Sequence, residues 1–112
     1  PKWSSNNVFF MDKLVNNYTP ETFILHPASP NPFNPVTVVK YEVPAPANVT
    51  LTIFDLKGRQ REILYDGNQG EGLYSLQWDA SQFSSGIYFI KFTAQIFAQE
   101  SVSFTQKIML VK

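Results

Sequence analysis

From residue 36 onward, apolar and polar residues alternate with a period of two. Val49, Leu51 and Ile53 are separated by Thr50 and Thr52, and Tyr74, Leu76 and Trp78 by Ser75 and Gln77. Successive side chains of a strand point to opposite faces, so this pattern predicts half-buried β-strands. It places strands at 36–43, 49–55, 59–65, 73–78, 87–94 and 102–111. Val39, Tyr41 and Val43 share the dry face of the first, and Tyr88, Ile90 and Phe92 that of the fifth, where Lys91 marks the wet side. The more polar 59–65 reads as an edge strand, where charges discourage pairing with another sheet. No long stretch repeats at 3.6 residues. Strands at about 8–12-residue spacing with turn signals between them predict an all-β sandwich.

Proline and glycine divide the chain unevenly. Seven of the eight prolines lie in 20–46, and all five glycines in 58–86. The segment 26–35 is neither helix nor central strand, because its prolines remove backbone donors and hold the preceding residues extended. It is expected to be a rigid loop pinned by Phe33. Turns are expected at 55–58, ending on Gly58, and at 66–70. A polar connection follows at 79–85, leading to Gly86, and 94–100 ends a hairpin. Residues 1–22 read as a linker or the tail of a preceding domain, polar apart from Val8, Phe9, Phe10, Met11, Leu14 and Val15, and 23–112 as one folded domain. The start at Pro1, without a methionine, suggests a piece of a longer protein whose export signal lies further upstream.

The chain has 112 residues, 44% of them hydrophobic and 15% aromatic, which suits a packed domain rather than disorder. Nine basic and nine acidic residues balance, so no global field draws it to nucleic acid or an anionic membrane. No apolar run approaches the roughly 20 residues that cross a bilayer, so membrane insertion is not expected. Cysteine is absent, which removes disulfides and thiolate metal sites.

Nothing in the chain points to catalysis, a cofactor or a resident metal. His26 is the single histidine, and it precedes Pro27 at a strand end with no Gly-x-Ser-x-Gly turn to serve. Asp55, Asp66 and Asp79 fall at turns, where aspartate commonly bonds local backbone. A calcium site of loop oxygens around Asp66, Asn68 or Asp79 is the weaker alternative. The aromatic residues Tyr74, Trp78, Tyr88, Phe89 and Phe92 read as core. A sugar-stacking platform is the competing reading, and burial of Trp78 would count against it.

An ordered set of short motifs remains. Ser29-Pro30-Asn31-Pro32-Phe33-Asn34-Pro35 opens it, followed by Val49-Thr50-Leu51-Thr52-Ile53-Phe54-Asp55-Leu56-Lys57-Gly58-Arg59. Then come Gly72-Leu73-Tyr74, Trp78-Asp79, Ser85-Gly86-Ile87-Tyr88-Phe89 and Lys107-Ile108-Met109-Leu110-Val111-Lys112. In this order the set resembles the C-terminal sorting domain of type IX secretion, over residues 23–112. The resemblance implies an immunoglobulin-like antiparallel β-sandwich of about seven strands. It implies a non-catalytic address on an exported bacterial protein, of a kind found in the Bacteroidetes and related phyla. Its implied partners are the outer-membrane translocon, a sortase-like peptidase that removes the domain in many members, and an N-terminal passenger in the same chain. The implied destination is the cell surface or the medium, by way of the periplasm. By the same resemblance the recognition residues are Asn31, Pro32, Phe33, Gly58, Arg59, Lys107, Leu110, Val111 and Lys112. One departure stands out: the connection from Phe92 to Gln106 is long and has no glycine or asparagine at its tip.

Two readings of Arg59 stay open. Its planar fork suits a receptor carboxylate, and equally a neighbouring strand acid. The last strand offers a receptor an edge for pairing. The alternative to a secretion address is a structural or carbohydrate-binding sandwich module of a larger extracellular enzyme.

Overall fold

The structure, a computed structural model, describes residues 20–112. The expectations for residues 1–19 lie outside the described residues. Seven strands form in chain order: β1 (Ile24–Leu25), β2 (Val36–Val43), β3 (Ala47–Asp55), β4 (Gln60–Gln69), β5 (Gly72–Asp79), β6 (Gly86–Ile96) and β7 (Val102–Leu110). They build two antiparallel sheets, β1-β2-β5 and β4-β3-β6-β7. This is the expected all-β sandwich. The β3–β4 hairpin lies in sequence between the paired strands β2 and β5, and β4 with β5 lies between the paired strands β3 and β6. The chain therefore crosses between the layers three times, and each sheet is closed by a pair that is long-range in sequence.

The period-two pattern decides which faces meet. Val39, Tyr41 and Val43 from β2 pack against Val49, Leu51 and Ile53 from β3 and against Ile90 and Phe92 from β6, all buried. Ile108 and Leu110 of β7 close the layer. Aromatic rings fill its two ends. At one end Trp78 meets Phe33, Phe83 and Tyr88 at centroid distances of 5.5, 5.4 and 5.7 Å. At the other, Phe92 meets Tyr41 at 5.1 Å and Phe23 at 6.1 Å. Burial pushes the Tyr41 hydroxyl pKa up, opposed by the hydrogen bond that it donates to Gln69 Oε1 at 2.6 Å. Trp78 is only 1% exposed, so it offers no platform for a sugar ring.

Three expectations need correction. The predicted loop 66–70 is mostly strand: β4 continues to Gln69, with Asn68 opposite Asn48 and Asp66 opposite Thr50. Asp66 is therefore a ladder residue within hydrogen-bond reach of Thr50 (3.4 Å), not a turn aspartate. The two-residue β1 was not anticipated; it lies too close to the prolines for a periodic pattern to show. The hairpin at 94–100 forms as expected, and its tip is unusual. Gln99 N–H donates to the Ile96 carbonyl at 2.9 Å, and Ala98 holds φ at 65°, a conformation glycine or asparagine normally supplies.

The register gives the sandwich two distinct ends. Asp55 lies opposite Tyr88, Gly86 opposite Leu110, and Val36 opposite Asp79. The Asp55–Arg59 turn, the 80–85 connection and the end of β7 thus share one end, here the turn end. The β6–β7 tip, the 44–46 connection and the β4–β5 turn share the other, the hairpin end.

Candidate functional site

The Asn31-Pro32-Phe33 segment runs beside the outer edge of β7 and parallel to it. Phe33 N–H donates to the Met109 carbonyl, and Val111 N–H donates to the Phe33 carbonyl, both at 2.9 Å. Asn31 extends the ladder with its side chain. Its Nδ2 donates to the Lys107 carbonyl at 3.2 Å, and its Oδ1 accepts from Met109 N–H at 3.0 Å. An amide side chain presents one donor and one acceptor, so it can replace a peptide unit in such a ladder. Proline suits the neighbouring positions because its missing N–H is not required there. Gln106 then repeats the device from β7: its Nε2 donates to the His26 carbonyl at 2.8 Å, and its Oε1 accepts from Ala28 N–H at 2.9 Å.

Residues 26–33 consequently cover the outer edge of β7 from Gln106 to Val111. The expectation that this strand offers its edge to a receptor is overturned over that span, because the loop already occupies the bonding groups. Phe33 is 2% exposed and Leu110 is 1% exposed, so both act as core residues under the loop. Asn31, Pro32, Lys107 and Val111 remain at the surface.

The Gly58-Arg59 turn lies at the same end of the sandwich, above the opposite half of the sheet. Asp55 organises it. Its Oδ1 accepts from the Lys57 and Arg59 N–H groups, both at 2.9 Å. Its Oδ2 accepts from Arg59 Nε at 2.8 Å and Arg61 Nη1 at 3.4 Å. Donation from the Arg59 backbone N–H, reinforced by its guanidinium and by Lys57 N–H, holds the Asp55 carboxyl well below its ordinary value, at about 2. Gly58 takes φ of +83°, which lets the chain reverse and return Arg59 to Asp55. The neighbouring-acid reading of Arg59 is therefore realised. The bond uses Nε, and the arginine side chain stays largely exposed.

Lys112 is tied to the 80–85 connection. Its backbone N–H donates to Ser85 Oγ at 2.9 Å, and its Nζ donates to the Ser81 carbonyl at 2.7 Å. Asp79 accepts from the Ser81 hydroxyl and N–H, and these bonds, with Lys112 nearby, lower its pKa. The nine residues expected to be recognised thus fall into three groups at one end: the loop on β7, the Asp55-held turn and the Lys112 anchor. Asp55 bonds local backbone as expected of a turn aspartate, whereas the sequence reading missed Gln106 and Ser81, which hold the other two groups in place.

His26, at its strand end, contacts Glu42 Oε2 at 2.6 Å. Among the described residues, no three histidine, cysteine, aspartate or glutamate side chains gather to hold a metal.

Residues 28–110 match the family model of the secretion system C-terminal sorting domain. The chain belongs to this family. The sorting domain is a type IX secretion signal, and it directs the protein that carries it out of the cell. The matched span takes in the loop on β7 and strands β2 to β7, and leaves out β1. No curated protein matches the chain. Among solved structures the sorting domain is similar to dimeric latent PorU from Porphyromonas gingivalis, with 14% identity and a TM-score of 0.64 over 80% of this chain. It spans 9% of that PorU chain. It is also similar to CopC from Methylosinus trichosporium OB3b, with 19% identity and a TM-score of 0.51, over 80% of this chain and 93% of that one. At these identities both likenesses are of fold.

Proposed function

We propose that the sorting domain acts as a folded, non-catalytic address, read by the outer-membrane translocon after its carrier has reached the periplasm. Residues 23–112 form the address, and residues 1–22 connect it to an N-terminal passenger. Asn31, Pro32, Gly58, Arg59, Lys107, Val111 and Lys112 present its surface, while Phe33 and Leu110 hold that surface from below. A sortase-like peptidase then removes the domain upstream of the sandwich.

The observation that carries this reading is the bonding of Asn31 and Phe33 to β7. Two motifs some 75 residues apart become one rigid surface, and they do so only in the folded state. A short linear signal would need no such closure. The test is export of a fluorescent reporter fused ahead of residues 1–112, in hosts with and without a working type IX translocon. Translocon-dependent export is expected. Retention in both hosts, with a known sorting domain exported in the first, would overturn the reading.

A further inference from the structure

The outer face of the four-stranded sheet is polar toward the hairpin end, where Asn48, Asn68 and Gln95 lie in one row. It turns apolar toward the turn end. Phe54 lies opposite Phe89, with Ile63 one row away, and Ile87 lies opposite Met109. Among the described residues six large apolar side chains are well exposed, and four of them are at or beside this patch: Leu56 at 66%, Ile63 at 49%, Val111 at 48% and Met109 at 40%. A contiguous exposed apolar patch on a small domain commonly marks an interaction surface.

Charge is sorted along the same axis, although the whole chain is neutral. Lys57, Arg59, Arg61, Lys107 and Lys112 lie at the turn end. Three acids share that end, Asp55 bound by Arg59 and Arg61, Glu62 by the Trp78 indole N–H and Asp79 by Ser81, so five bases face three acids there. Glu21, Glu42, Asp66, Glu71 and Glu100 lie toward the hairpin end. The apolar patch therefore sits at the end that carries more bases than acids, on a molecule whose far end is acidic. Such a distribution orients an encounter before contact and favours a partner of opposite sign.

We infer that this face, centred on Phe54, Phe89, Ile63 and Met109, is the docking surface for a protein partner in the secretion machinery whose own surface carries an apolar centre ringed by carboxylates. The inference rests on the reading of the domain as a translocon-recognised address, and it names which face is recognised. A lipid surface fits less well: the most exposed apolar side chain among the described residues, Phe97 at 94%, stands at the acidic end, where an anionic surface would repel it.

The test uses the reporter fusion in the translocon-competent host, with Ile63→Glu and Met109→Glu introduced separately, Met109→Lys as the charge control and Phe97→Glu as the far-end control. Melting within a few degrees of the parent confirms folding. Export is expected to fall at least about tenfold for the two patch glutamates, less for Met109→Lys, and not at all for Phe97→Glu. A photo-crosslinking residue at Met109 is expected to capture a translocon component in the envelope, and the same residue at Phe97 is not. Unchanged export of both patch glutamates, while the parent remains translocon-dependent, overturns the inference and leaves the address reading standing. So does crosslinking to lipid, to a second copy or to the chain's own residues 1–19. Loss of parental export would instead count against the address reading itself.

Discussion

Asp55 shows how one side chain can organise a turn. Its two oxygens accept four hydrogen bonds, two from backbone and two from arginines, while the turn's apolar side chain, Leu56, is exposed and does not hold it. Because its folded pKa is depressed, Asp55 contributes stability that is fully present above its ordinary value of 3.8 and is lost as pH falls through about 2. The stability gap between the parent and Asp55→Asn should therefore be constant near neutrality and shrink steadily between those two values. Urea unfolding at a series of pH values measures it, and a gap independent of pH would refute the assignment. Ala98 is the opposite case, a residue working against its own preference. Its φ of 65° costs an L-residue about 1–2 kcal/mol. Ala98→Gly should recover about 1 kcal/mol, raising Tm by roughly 5 °C in a domain of this size. A lower Tm would mean that the tip geometry has another source.

At the scale of elements, the last strand is held from both sides. β6 pairs with it along one edge, and the Asn31–Phe33 loop along the other. Asn31→Ala removes a donor and an acceptor at a partly wet edge, so the expected loss is about 1 kcal/mol. The sharper signature is local: the Met109 amide should exchange roughly tenfold faster, while amides in the centre of β3 keep their protection. Uniformly faster exchange would show that Asn31 acts on global stability alone. The strands were legible because a half-buried strand writes its two faces into alternate residues. The same rule hid β1, whose two residues are too few to alternate, and the covering loop, whose bonds come from an amide side chain and from backbone between prolines. Phe33 was legible as an anchor because a large ring in a proline-rich loop must be buried somewhere. That its neighbour Asn31 would stand in for a peptide unit on β7 was not legible, since no local pattern records a partner some 75 residues away. The link between Gly58, Arg59 and Asp55 is short-range, and the candidate acid was visible; the choice between an internal and an external partner needed the turn's geometry.

At the scale of the whole molecule, the question is how much chain the address needs. Among the described residues the fully buried core runs from Ala28 to Leu110, which would suggest that folding can begin at 28. Two observations argue for an earlier start. Phe23 and Leu25 pack against that core, Phe23 on the ring of Phe92, and the His26 carbonyl accepts from Gln106 of β7. Removing the first 26 residues would uncover Phe92 and leave the Gln106 amide without one of its partners. Half-burying two large apolar side chains stabilises by about 2 kcal/mol, and the lost bond adds to that. A domain of residues 20–112 should therefore melt cooperatively within about 2 °C of the full chain. One of residues 27–112 should melt at least roughly 8 °C lower. Differential scanning calorimetry on the two pieces measures this directly. Equal stability of both would move the boundary of the folded address into the proline-rich loop, and would leave β1 as an appendage rather than the first element of the sandwich.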